Sequence, residues 1–226
     1  MIIAFNGKSE WLTNMCLGSI MWASGIIRES FKVDANDRLH VSDLLGDSRV
    51  HGIFNIHSID EQFNIFLHNE VYPVVRIYNK IDLIKAVCNQ IYGVPKNLVY
   101  NDKMKNIETE FTDRKILKIG VGDKLTVEEL ISAIYGEYNN LSETFILDYL
   151  LRIIHNNNSR YSIIIDDLSV PELIKLQQAE STIIKFKPGV PEFDYHYSIE
   201  ESAKDLDYIL NQIGVYQDYK VVNKGR

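Results

Sequence analysis

The chain reads as an α/β protein, a three-layer α/β/α arrangement with a mostly parallel sheet covered by helices on both faces. Three observations predict this. Short apolar runs without alternation, such as Ile2 to Phe5 and Tyr161 to Ile165, have the character of strands buried on both sides. Between such runs lie segments whose apolar residues recur at helical spacing, so strands alternate with helices and right-handed crossovers follow. A length of 226 residues suffices for one α/β domain with a full core and is short for two.

Ile2 to Phe5 is the first strand, closed by Asn6-Gly7, and Thr13 to Ile27 follows as the first helix. Residues 31–75 are less regular, strand-like from His51 to Ile56 and helix-like from Glu61 to Asn69. Val74 to Tyr78 is a strand. Ile81 to Tyr92 is a helix stopped by Gly93, since glycine takes up the left-handed backbone that ends helices. Thr126 caps the next helix, with Glu129 completing a capping box and Leu130, Ile131 and Ile134 on one face. Glu143 to Ile154 is helical, and the polar tract Asn156 to Ser159 ends it. After the strand at 161–165 come a helix from Pro171 to Gln178, a strand from Ser181 to Phe186, and a last strand at Asp207 to Leu210.

Composition narrows the function classes. A net charge of −7 and a pI of about 5.4 argue against a sequence-independent nucleic-acid binder, which needs a dense Lys/Arg face. Cys16 and Cys88 are the only cysteines, with no C-x-x-C and no His/Cys cluster, so neither a disulfide framework nor a zinc site is expected and a reducing compartment fits. No run of 18 apolar residues and no basic leader occur, so the expectation is a cytoplasmic protein without a membrane partner.

The passage from first strand to first helix carries the most pointed signal. A working phosphate loop, G-x-x-x-x-G-K-[ST], needs its second glycine for close backbone approach, its lysine for the β/γ oxygens and its hydroxyl for Mg²⁺. Counting from Gly7, those three places hold Leu12, Thr13 and Asn14. Gly7, Lys8, Ser9 and Thr13 are what remains to meet a phosphate, and the same residues would equally make an ordinary strand-to-helix turn.

Four further segments, in order, resemble the phage-type deoxynucleoside monophosphate kinases. Ile84-Lys85-Ala86-Val87 through Ile91-Tyr92-Gly93 is similar to the family's Leu-Lys-Glu-Ala-Val…Leu-Phe-Gly helix, and Asp102-Lys103 to the Asp-Lys that ends the next loop. Thr126 to Asn140 resembles Thr-Pro-Arg-Glu-Leu-Leu-Gln-x-Leu-Gly-Thr-Glu-x-x-Arg. Ile163 to Glu172, with Asp166, Asp167 and Pro171, resembles the strand ending in Asp-Val-Arg-Phe-Pro-Asn-Glu. Asp194 to Glu200 and Asp207 to Asn211 resemble the closing segments. The likeness spans 1–15 and 78–212 and leaves 16–77 uncovered. It implies a P-loop nucleotide kinase fold in a single domain over 1–226, with helix 1 and a divergent insertion or lid in 16–77. It also implies a viral source, the host-cell cytoplasm, and substrate contacts at Lys85, Asp102, Lys103, Asp166 and Asp167.

The departures matter as much. Arginines that the family places on substrate or transferred phosphate are replaced by Glu128, Asn140 and Ser169. Phosphoryl transfer depends on positioning and cationic stabilisation, where one arginine contributes about 10³–10⁵ in rate. With the lysine of the loop also gone, the expectation is a homologue without catalytic residues that works through a protein partner, through self-association, or by binding a nucleotide without turnover. The aromatic residues Trp22, Phe31, Phe54, Phe63, Phe66 and Tyr72 offer contact area for a partner, or complete the core. One alternative is an active kinase, using ATP and Mg²⁺, with cations drawn from Arg28, Lys32, Arg38 or Arg49. Another is a structural component of a virus particle. Asp166-Asp167 would order Mg²⁺ or a nucleotide, or, more simply, cap the helix near Pro171. His196, without a second His or Cys nearby, reads as a hydrogen-bonded or surface residue.

Overall fold

Ile3, Ala4 and Phe5 retain no exposed surface, so the first strand is interior. The chain is described here from a computed structural model, which covers residues 1–44, 52–57, 60–112, 124–186 and 190–216. Its elements are β1 (Ile2–Asn6), α1 (Glu10–Ala23), β2 (Ile27–Val33), β3 (Leu39–Leu44), β4 (Gly52–Ile53), α2 (Glu61–Phe66) running into a π turn (Leu67–Val71), and β5 (Val75–Tyr78). Then follow α3 (Lys80–Gln90), α4 (Lys96–Val99), a 3₁₀ turn (Asp102–Met104), β6 (Glu108–Thr112), β7 (Lys124–Thr126), α5 (Val127–Leu141) and α6 (Phe145–Asn156). The chain continues with β8 (Tyr161–Asp166), α7 (Val170–Gln178), β9 (Thr182–Lys185), β10 (Tyr197–Ser198) and α8 (Ala203–Gln212). They form two compact units: residues up to Ile77 with those from Asn157 onward, and the contiguous stretch Tyr78–Asn156.

The first unit is α/β, built on a five-stranded all-parallel sheet of order β10-β9-β1-β8-β5 flanked by helices. β1 lies in the middle, Ile3 opposite Ile163 of β8 on one side and opposite Thr182 of β9 on the other. Every residue of β8 is buried, the isoleucines at 163–165 together with the polar Ser162 and Asp166. A second, antiparallel sheet, β2-β3-β4, lies within the stretch 16–77. Its inner residues Ile27, Leu39 and Val41 join the core that holds Ile3, Phe5 and the buried side chains of α1. Leu12 and the whole run from Met15 to Met21 are buried, so α1 is enclosed rather than amphipathic. At Gly18 the approach is tight, since a Cβ there would run into the ring of Phe31 and stand 3.0 Å from Cδ1 of Leu39.

Two segments differ from the sequence expectation. The first helix spans 10–23 instead of 13–27, because Ser9 caps it and Gly25, at φ +77°, turns the chain into β2. Asp207 to Leu210 is not a strand but part of α8, capped by Ser202. Leu206, Ile209 and Leu210 are buried at helical spacing, a period that a four-residue window hides. The sheet edge is Tyr197–Ser198 instead.

The second unit has its own core, in which Ile84 and Cys88 of α3 meet Val94, Val99, Leu125, and Val127, Leu130, Ile131 and Ile134 of α5. Thr126 caps α5 with the expected capping box. β6 and β7 pair antiparallel. Among the described residues no helix is long and apolar enough to cross a membrane.

Two glycines in helices should respond oppositely to alanine. At Gly136, where a Cβ meets nothing within 4 Å, Gly136→Ala should stabilise by roughly 0.5–1 kcal/mol through helix propensity. At Gly18 overpacking costs about 1–3 kcal/mol and outweighs that gain, and Gly18→Val should be worse than Gly18→Ala. Urea midpoints of the three variants measure the contrast.

Candidate functional site

Of the connections in the parallel sheet, the one leaving β1 runs towards β5, whereas those leaving β5, β8 and β9 run the other way. Open α/β sheets bind ligands where the direction of the connections reverses, at the carboxyl ends of the strands. Here that place is the end of β1, Asn6 to Ser9, beside the end of β8, Asp166 and Asp167.

The turn from β1 into α1 is only three residues, Gly7 to Ser9. Gly7 has φ +128°, a conformation that side chains disfavour, and its N–H donates to Asp166 O at 2.9 Å. The Lys8 N–H donates to Asp167 Oδ1 at 3.0 Å. Ser9 Oγ accepts from the Leu12 N–H at 3.3 Å, while Ser9 O accepts from the N–H and hydroxyl of Thr13 at 3.1 and 3.0 Å. Leu12 is wholly buried and Glu10 occupies the first helical turn. Gly7, Lys8, Ser9 and Thr13 are therefore together, but in a short capped turn whose first two N–H groups are engaged, next to two carboxylates.

Asn6 is buried beneath this turn. Its Oδ1 accepts from the Leu168 N–H at 2.8 Å, and its Nδ2 donates to Leu168 O at 3.3 Å and to the Tyr195 hydroxyl at 2.8 Å. Tyr195 in turn donates to Pro191 O at 2.8 Å. The central strand thus fastens the segments that follow β8 and precede β10. Sequence reasoning passed over both residues; a polar side chain closing an apolar run was the available signal.

Asp166 is buried at the carboxyl end of β8, its Oδ1 accepting from the Asp167 N–H at 2.9 Å, and Asp167 is exposed. Neither caps the next helix. Ser169 does, in a capping box whose Glu172 Oε2 accepts from the Ser169 N–H at 2.9 Å, because the cap must stand immediately before the first helical residue, Val170.

The β2–β3 turn is tied to α1 through Asn14, whose Nδ2 donates to Asp37 O at 2.6 Å. Asp34 organises that turn: Oδ1 accepts from the N–H groups of Asn36 and Arg38, and Oδ2 meets His40 Nε2 at 2.8 Å and Arg38 Nε at 3.0 Å. The bond to His40, followed by those from the Arg38 N–H and guanidinium and the Asn36 N–H, holds the Asp34 carboxyl well below the ordinary range. Arg38 is thereby paired; Arg28 and Lys32 are exposed, and Arg49 lies outside the described residues.

In the second unit, Lys85 Nζ is 4.0 Å from Asp82 Oδ1 and 5.5 Å from the centre of the Tyr100 ring. Asp102 opens the 3₁₀ turn, and Lys103 is exposed, its N–H donating to Asn101 Oδ1 at 3.1 Å. Of the six aromatics considered for a partner, Phe54 is buried, Phe31, Phe63, Phe66 and Tyr72 are half-buried against the first unit's core, and Trp22 alone is exposed, at 52%. The five other than Trp22 complete the core, because the β2–β4 sheet and α2 lie over it. Burial pushes the Cys88 thiol up to about 11 and that of Cys16 higher still, which keeps both protonated and unreactive. The His196 ring, exposed, accepts from the Ile183 N–H at 3.1 Å. Among the described residues no three His, Cys, Asp or Glu are grouped to hold a metal.

Asn6→Ala strands the Leu168 N–H and should cost about 1–3 kcal/mol or more, whereas Tyr195→Phe, which leaves Asn6 bonded to Leu168, should cost less; denaturant titration ranks the two. Because Asp34 has a depressed folded-state pKa, its contribution is complete above the unfolded-state value of about 3.9 and disappears as pH falls through the lower folded-state value. The melting temperature of Asp34→Asn should therefore lie below that of the parent protein at pH 7, with the gap closing below about pH 4.

Comparison with family profiles, with curated proteins and with solved structures finds no match for the chain.

Proposed function

We propose that the chain is a catalytically degenerate relative of the phage-type deoxynucleoside monophosphate kinases, with the fold of a P-loop nucleotide kinase and no phosphoryl transfer. It acts in the host-cell cytoplasm by contact with a protein partner or by holding a nucleotide without turning it over. The observation that carries the reading is the Lys8 N–H on the Asp167 carboxylate: a backbone donor of the loop meets an internal anion where a phosphate oxygen would be met in an active enzyme. Three features support it. Glu10 adds a second negative charge at the start of α1, Leu12 fills the core at the place of the second glycine, and the turn from β1 into α1 is too short to encircle a phosphate. The position of the turn, leaving a buried parallel strand at the reversal point of the sheet, supports the kinship in fold.

Purified protein should transfer no phosphate from ATP to any deoxynucleoside monophosphate above background, and radiolabel turnover near ~1 s⁻¹ would overturn the proposal in favour of an active kinase. A thermal-shift panel of nucleotides with and without Mg²⁺ separates the two modes of action. A nucleotide at 100 times its Kd adds about 2.7 kcal/mol of stability, so a clear shift without turnover selects nucleotide holding and a flat panel selects protein contact.

A further inference from the structure

We draw no further inference here: the strongest candidate, the exposed apolar surface of Leu141, Phe145 and Tyr149 at the turn between α5 and α6, has nothing in the structure to show what covers it.

Discussion

The first unit depends on one buried amide. Asn6 ends the central strand, and its side chain satisfies backbone or hydroxyl groups of two later segments at once. A polar group without exposed surface is costly unless bonded, so the favourable state of Asn6 is the one in which Leu168 and Tyr195 are both in place. Register follows from this. Asn6 pairs with Asp166 and Lys185, and a slip of one residue would turn its side chain to the other face, away from both partners.

A second constraint is the enclosure of α1. The parallel sheet and the antiparallel sheet both contribute to the core around it, and Gly18 lets the Phe31 ring approach the helix backbone. The aromatic content of 16–77 acquires its meaning there. Phe54 and Phe63 meet edge to face at 5.2 Å, and Phe63 and Phe66 lie 6.0 Å apart, all packed against the same core. Asp34 and Asn14 then hold the β2–β3 turn against the helix.

What was legible in the sequence was what local chemistry determines. The Thr126–Glu129 capping box needs only four residues, and Ile163 to Ile165 is a run of three isoleucines, so both elements were readable directly. The β2–β3 hairpin was not, since its alternation is broken by an extra residue at Arg28-Glu29 and its turn closes through Asp37 at φ +58°, where glycine would have announced it. α8 was misread because four residues cannot separate a period of 2 from one of 3.6. At the site, the structure sets Gly7 and Lys8 at the end of β1 beside Asp166 and Asp167 at the end of β8, but the length of the turn depends on where α1 begins. Ser9 decides that, and its role as a cap competes with any reading of the stretch as a longer loop.

The order of strands also governs when the sheet is able to form. β1 emerges first, yet its two neighbours are β8 and β9, so Ile3 waits for Ile163 and Thr182. A chain still being synthesised therefore carries an unpaired apolar strand through most of its length. The stretch Tyr78–Asn156, contiguous and with its own core, meets its partners locally and bears little of the loop-closure entropy that delays the sheet. During that interval α1, with its buried run, and the β2–β3 hairpin, which share the core of β1 in the folded protein, are the apolar elements nearest to it in sequence, while its edges stay open until β8 and β9 arrive.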